Sequence, residues 1–401
     1  MARRRSTDRS RGSSIEHLVD RERGFLPRPD PLECLPGDFG AWEGVAAELP
    51  KLLAQHGARH ALASMPVLDV ASLAPGPELR RAMLLLSYFG HAWVWQGPEA
   101  SDRLPCSIAV PWHVVARRLS RPPVLSYASY ALDNWRRLDP SGPIELGNLA
   151  LLQNFLGGID EEWFILVHVE IEARAAPALD AIPRAQAAVA AGDVSRLTVE
   201  LRAIAESLEA MVAVLARMPE GCDPYIYYRR VRPYIHGWKD HPMLRAGVVY
   251  EGVAEYGGEG QRFRGETGAQ SAIVPSLDAA LGIEHADDPL RPYLLEMRDY
   301  MTPEQRAYLT AVEGGPPLRP LLRSGVAAGA EAVELYDRCV TALGAFRGQH
   351  LDYADRYIHR QVPSGPDNPT DRGTAGTPFM AYLRKHLDET LAHRLAPERA
   401  G

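Results

Sequence analysis

Cysteine is scarce in this 401-residue chain: Cys34, Cys106, Cys222 and Cys339 stand far apart, and no CxxC pair occurs. That excludes the usual zinc and iron–sulfur frameworks and a disulfide scaffold, and it fits a reducing cytoplasm. Long apolar runs are missing too. The longest candidate, Ala82 to Trp95, contains His91 and follows Arg80 and Arg81, and it falls short of the ~20 residues a membrane span needs. The N-terminal MARRRSTDRSRGSS has no apolar stretch to make a secretory signal, and Asp8 and Gly12 interrupt it, so residues 1–14 read as a disordered tail. A formal charge of −7 leaves no electrostatic footprint for nucleic acid. No HExxH, GxSxG or paired-carboxylate pattern stands out. The Gly-rich pieces RGETGAQS (264–271) and RGTAGT (372–377) lack the endings of phosphate loops. They suit a backbone that approaches a ligand closely.

What is present is apolar bulk, 46% of the chain, arranged mostly with helical spacing. Residues 15–45 are dense in Pro and Gly and read as irregular. Helices are expected from Trp42 to His56 and from Pro77 to Gln96, the latter with Pro at its start and Gly97 after its end. Prolines at 105, 111, 122 and 123 break residues 102–124 into short segments, and a boundary is placed near 122–125. Residues 15–124 thus form a smaller mixed domain and 125–401 a large α-helical one. Further helices are expected at Ser126–Arg137, Ile144–Phe155, Asp160–Ala175, a hairpin from Pro183 to Met218 turning at Gly192-Asp193, Tyr225–Tyr234, Ala269–Leu281, Leu290–Met301, Pro303–Gly314, Glu331–Arg360 and Thr377–Arg394. Strand-period alternation is rare, so the fold class is mainly α, a helical bundle with a mixed N-terminal cap. Residues 361–376, rich in Pro, Gly, Asp and Thr, form a mobile loop of the kind that covers sites.

Two histidines stand on apolar helical faces. Tyr336, Val340, Leu343, Phe346, His350, Tyr353 and Tyr357 fall at steps of three or four. A buried imidazole needs a partner for each nitrogen. An iron atom can be one, as on the proximal side of haem. Periodicity alone favours an ordinary core histidine bonded to a carbonyl or water. Arg347, one turn before His350, suits either a porphyrin carboxylate or a salt bridge. His168 follows Phe164 by four residues on the helix beginning at Asp160, so an aromatic ring and an imidazole share a face. Here too the core reading leads. Among Arg229, Arg230 and Arg232, the last lies on the Tyr228 side of its helix and offers an inward fork for a carboxylate, while the other two read as a solvated face.

Taken together, these segments resemble the indoleamine 2,3-dioxygenase family. The matching stretches are IAVPWHVVARRL, PPVLSYASYALDNWRRLDP, WFILVHVEIEA, RRVRPYIHGWK, GVVYEGV, ETGAQSAIVPSLDAALGI, RDYMTPEQRAYL, FRGQHLDYADRYI and RGTAGTPFM, in family order over about residues 20–390. The resemblance implies a small N-terminal domain capping an all-α domain that encloses haem b. It makes His350 the iron ligand, reversing the core reading, with Arg347, Thr267 and Gly268 beside the cofactor. It puts Arg232 in the slot that meets the substrate carboxylate. Phe164 and Tyr227 take the slots beside the indole ring, Tyr127 lies near the distal pocket, and Thr374 sits on the closing loop. His168, where the mammalian enzymes have Ser and the related tryptophan 2,3-dioxygenases have His, is placed to hydrogen-bond the indole N–H. His168 and Arg232 carry the catalytic assignment. Tyr130 and Tyr227 also depart from the mammalian pattern. The implied reaction inserts O₂ across the indole C2–C3 bond of L-tryptophan or an indoleamine to give N-formylkynurenine. It needs an electron donor to keep the haem ferrous, and neither nucleic acid nor membrane. Two alternatives are a same-fold haem enzyme oxidising a tryptophan derivative in secondary metabolism, and a haem-binding sensor without turnover.

Overall fold

A computed structural model describes residues 15–287, 289–323, 329–363, 365–366 and 368–395. The N-terminal layer is built from α1 (Gly40–Ala54), α2 (Ala58–Ala63), α3 (Pro77–Trp95) and α4 (Cys106–Arg118). α3 starts at Pro77, whose missing N–H costs nothing in a first turn, and is buried along most of its length. α4 corrects the expectation of broken segments. Pro105 precedes the helix and Pro111 lies inside it, where one lost backbone bond is outweighed by the buried Ile108, Trp112 and Val115.

The large helical part follows: α5 (Ile159–Ala191), α6 (Val194–Leu215), α7 (Pro224–Ile226), α8 (Ile273–Leu281), α9 (Arg291–Met297), α10 (Pro303–Glu313), α11 (Arg319–Arg323), α12 (Ala330–Ala354) and α13 (Met380–Leu391). The fold is mainly α. α5 and α6 form a hairpin whose turn is the expected one. Gly192 takes a left-handed φ of 67°, and the Asp193 side chain caps α6 by accepting from the Arg196 N–H at 3.0 Å. The expected start at Pro183 is corrected, since α5 runs unbroken through Pro177 and Pro183. α12 packs on α6 and α13. A Cβ on Gly344 would lie 2.5 Å from a Leu391 methyl, so the α12–α13 approach needs a glycine.

Two expected helices are absent. Ser126–Arg137 holds one π-helical turn at Ala128–Leu132 and then strand β2 (Trp135–Arg137), and Ile144–Phe155 holds strand β3 (Leu149–Leu151). β2 and β3 pair antiparallel with Trp135 opposite Leu151. Pro140, Gly142 and Pro143 turn the chain between them, and Asn134 extends the pairing by exchanging bonds of 2.8 Å with the Gln153 backbone. A second small sheet joins β1 (Arg103–Leu104), β4 (Val248–Tyr250) and β5 (Gly260–Gln261), parallel and then antiparallel, in the order β1-β4-β5.

One core cluster gathers α1–α4 and continues past Pro122-Pro123 through Leu125, Tyr130, Trp135 and Phe155 to Trp238 and Tyr250. A second fills the space among α5, α6, α8, α10 and α12. Phe164 and Phe25 pack against both, and the site lies where the two meet. Among the described residues no helix is long and apolar enough to cross a membrane.

Candidate active site

The site is assembled from π-helical turns. Ala128–Leu132 carries Tyr130 and follows Tyr127, Tyr227–Val231 leads into Arg232, and Asp355–His359 carries Tyr357. The extra residue in such a turn re-aims side chains, and such turns concentrate at functional positions. The second has a plain local cause. The Arg232 N–H reaches back five residues to the Tyr227 carbonyl, and Pro233, with no N–H, cannot continue the ladder.

These turns and α5 place Tyr127, Tyr130, Phe164, His168 and Tyr227 on one wall. The Phe164 ring lies 4.7 Å from both His168 and Tyr227 and 6.4 Å from Tyr130, and Tyr127 meets His168 edge-on at 6.0 Å. His168 Nδ1 is 2.7 Å from the Phe164 carbonyl one turn back, so it carries the proton and leaves the Nε2 lone pair unused. Burial lowers the His168 pKa and keeps the ring neutral.

His350 faces this wall from α12. Burial, the neighbouring His168 and Arg347 bring its pKa down to about 4, and among the described residues no hydrogen bond holds it. Yet its side chain is exposed, and its stripe neighbours Phe346 and Tyr353 are only half-buried, while Tyr336, Val340 and Leu343 are fully buried. A ring surrounded by enough protein to lower its pKa and still exposed is open to a ligand. His168 is near enough to contribute to that lowering. Such a neutral, unpartnered imidazole fits a planar cofactor that brings four ligands of its own and asks the protein for a fifth. The cluster of three potential metal ligands among the described residues lies elsewhere, at His285, His386 and Glu389. Its two histidines line a cleft of about 730 Å³ that includes Asp278 but none of His168, Arg232 or His350. His285 there is already bonded to Glu389 at 2.8 Å, and its ring stacks on His386 at 3.9 Å.

Arg232 is fully buried. Its guanidinium donates to the Asn368 side chain and the Arg372 carbonyl, and lies 3.1 Å from His236 Nε2; Nε has no partner. These hydrogen-bond partners are neutral, Asp371 acts on it only at longer range, and burial pulls its pKa down to about 10. A buried guanidinium with no carboxylate bonded to it among the described residues is suited to receive one. Arg229 instead reaches the Val362 carbonyl at the surface.

The loop after Asn368 lies closed on this group. The Thr374 hydroxyl donates to the Glu266 carbonyl, the Thr374 carbonyl accepts from Gly237 at 3.2 Å, and Arg264 donates to the Ala375 carbonyl at 2.7 Å. Beneath it Gly237 and Gly265 touch backbone to backbone. A Cβ on either would fall within 2.2 Å of the other's strand, so only glycine fits. Thr267 caps the following turn through Ala269, and a Cβ on Gly268 would meet nothing, so this glycine borders open space. Gln270 ties the loop to the wall, accepting from the Tyr127 N–H at 2.8 Å and donating to the Gly265 carbonyl at 2.9 Å.

Arg347 stands apart from its expected role beside a cofactor. Its guanidinium pairs with Asp278 at 2.6 and 2.9 Å and donates to Thr390, clasping α12 to α8 and α13. Sequence reasoning missed Asn368, His236, Gln270 and two buried acids. Glu172 accepts from Ser271 at 2.8 Å and is pushed by burial to about 7; Glu266 is pushed to about 8. The one available signal was a charged residue inside the Gly-rich RGETGAQS.

With this geometry in place, comparison with known proteins is decisive. The family described as Indoleamine 2,3-dioxygenase matches residues 14–393. The chain belongs to the indoleamine 2,3-dioxygenase family. It is 37% identical to indoleamine 2,3-dioxygenase 1 of Rattus norvegicus over 390 residues, covering 94% of each chain. It is 35% identical to indoleamine 2,3-dioxygenase 2 of Mus musculus, covering 94% of this chain and 95% of that one. Identity to the Aspergillus candidus indoleamine 2,3-dioxygenase acdA is 33%, over 92% and 94%. Membership extends over nearly the whole fold, N-terminal layer and closing loop included.

Proposed function

We propose that the protein is a haem-dependent dioxygenase that cleaves the indole C2–C3 bond of L-tryptophan or an indoleamine, adding both atoms of O₂ to give N-formylkynurenine or its amine counterpart. The observation that carries this is a combination: an unpartnered neutral His350 near enough to His168 of the aromatic wall to feel it, and a fully buried Arg232. His350 holds the haem, with the backbone of Thr267 and Gly268 alongside. When bound, the haem iron supplies the activation of O₂ that no side chain here can provide.

The chain's own residues bind and orient. Arg232 takes the substrate carboxylate. Phe164 and Tyr227 stack against the indole, and the Nε2 lone pair of His168 accepts the indole N–H, fixing which ring edge faces the reacting oxygen. Residues 372–376, bonded through their carbonyls to Arg232, Gly237 and Arg264, lie over Arg232 and would keep water from the bound substrate. Arg347 acts through the clasp on Asp278, holding the helix that carries His350. A non-catalytic sensor has no need of a carboxylate receptor under a closing loop. A second reading, a tryptophan derivative with a polar ring substituent, is favoured by Tyr130, whose hydroxyl is buried without a partner.

Incubating the haem-loaded protein with L-tryptophan, O₂ and a reductant, and analysing the product by mass, tests the proposal. A product heavier than tryptophan by two oxygen atoms, both labelled from ¹⁸O₂, is expected. Binding of haem without turnover of any indole would overturn it, and turnover only of ring-hydroxylated tryptophans would select the second reading.

A further inference from the structure

The cleft lined by His285, His386 and Asp278 takes no part in the reading above. Its two histidines come from different elements. His386 and Glu389 stand three residues apart on α13, so they share one face of that helix. His285 belongs to the segment after α8, which Gly282 ends with a left-handed φ of 71°. His285, His386 and Glu389 each offer one donor atom such that all three atoms lie within 4.8 Å of one another. No other group of three histidine, cysteine or acidic side chains does so among the described residues.

The rings of His285 and His386 lie face to face, 3.9 Å apart with planes 3° from parallel. Two imidazolium rings repel at that distance, so at least one ring keeps a lone pair free of a proton. The His386 ring forms no hydrogen bond among the described residues, and Tyr382 packs on it at 4.1 Å. His285 is held at both nitrogens: Nδ1 lies 2.8 Å from Glu389 Oε2, and Nε2 lies 3.3 Å from Asp278 Oδ2. A metal-bound histidine has the same surroundings, donating from one nitrogen to a carboxylate and giving the other to the ion. Asp278 receives that donation here and is itself fixed by Arg347 at 2.6 Å. The proton that bridges Nδ1 to Glu389 is the one a metal ion displaces. Glu389 Oε1 is taken by the Ala286 N–H at 3.2 Å and by Lys385 at 3.5 Å, which leaves Oε2 for the ion. The arginines of the cleft are neutralised, Arg291 by Asp287 at 2.5 Å and Arg298 by Glu313 at 2.6 Å.

We propose that His285, His386 and Glu389 bind one divalent ion of the zinc class, with a water from the cleft as fourth ligand. Two imidazoles and a carboxylate suit zinc, cobalt(II) or nickel(II) better than magnesium or calcium, which take oxygen donors. The donor atoms of a tetrahedral zinc site stand about 3.3 Å apart, as bonds of about 2.0 Å require. Binding therefore draws the three side chains together and turns the stacked rings out of parallel. The ion joins α13 to the segment after α8, beside the Asp278–Arg347 pair that clasps α12. Its role is that of a brace, separate from the oxygen chemistry.

The test is calorimetric titration of the haem-loaded protein with zinc chloride, after a chelator has removed loosely held metal. The haem keeps His350 from competing for the ion. Wild type should take up one equivalent of zinc and unfold at a higher temperature with it, while the Soret band stays unchanged. Zinc X-ray absorption, which is blind to the haem iron, should show a four-coordinate ion with two imidazoles. His386→Ala and Glu389→Gln should each weaken zinc by about tenfold or more. His60→Ala, which removes an exposed histidine on α2, should leave it unchanged. Wild type that takes up no stoichiometric zinc overturns the proposal, and so does uptake that neither site variant weakens more than His60→Ala does. Should the site variants fail to fold, wild type decides alone: an ion surrounded by six oxygens, or by a single imidazole, overturns it.

Discussion

His91 and His350 both sit deep in long helices, and only one of them is finished. On α3, His91 donates from Nδ1 to the Tyr234 carbonyl at 2.7 Å and accepts at Nε2 from the Leu125 N–H at 3.0 Å. Burial pushes it down to about 3, and it remains a neutral bridge between three chain segments. On α12, His350 is pushed down to about 4 by the same cause and has no partner to bridge. Low basicity is common to both, although His91 is fully buried and His350 is exposed. What separates a structural histidine from a ligand is whether the chain itself satisfies the ring. The same contrast divides Arg347 from Arg232.

The largest expected effect is at His350. His350→Ala should fold and lose most of its haem, read as loss of the Soret band with an unchanged far-ultraviolet circular dichroism spectrum. A variant with full haem content and an unchanged ferrous spectrum would erase the contrast with His91. Next comes Arg232. Arg232→Ala should raise KM for L-tryptophan by roughly thirtyfold or more, equivalent to about 2–4 kcal/mol for a lost charge-assisted contact. Arg229→Ala should change it little. Similar kinetics for the two variants would show that the buried guanidinium is as structural as the half-buried one.

His91→Ala tests the other side. It strands the Tyr234 carbonyl and the Leu125 N–H and opens a cavity, so unfolding in denaturant should show a loss on the order of 3 kcal/mol. The haem that remains bound should keep the wild-type ferrous spectrum; a changed axial ligand would make His91 part of the site. The smallest effect is expected at His168, which is half satisfied: Nδ1 is bonded and Nε2 has no partner among the described residues. His168→Ala should keep its haem and lose about tenfold in kcat/KM, or ~1.4 kcal/mol. It should also discriminate less between L-tryptophan and 1-methyl-tryptophan, which lacks the N–H. An unchanged ratio between the two substrates would return His168 to the core.

The sequence was most legible where one element decides the outcome alone. The stripe from Tyr336 to Tyr357 marked the face on which Tyr336, Val340, Leu343 and Tyr357 are buried, and Gly192-Asp193 marked the α5–α6 turn. It was least legible where backbone geometry is settled by neighbours. The Ala-Leu-Trp spacing after Ser126 reads as helix until Asn134 and Gln153 are seen zipping β2 to β3. Pro111 and Pro183 look like breaks until the burial on either side outweighs one missing bond. Arg347 shares a face with His350, and nothing in the spacing reveals that Asp278, some seventy positions earlier, has claimed it. Glu266 stayed hidden because the burial of an acid is visible only once the chain around it has been placed.

The closed loop has a kinetic meaning of its own. Arg232, Arg264 and Gly237 grip it through the carbonyls of Arg372, Ala375 and Thr374, so the identity of most loop side chains is immaterial to its hold. The grip therefore tolerates mutational drift. If a substrate carboxylate goes to Arg232 as proposed, it meets a guanidinium whose Nη2 already holds the loop through the Arg372 carbonyl. Loading of the site would then bear on how firmly the loop is held, and loop motion would enter the rate of product release.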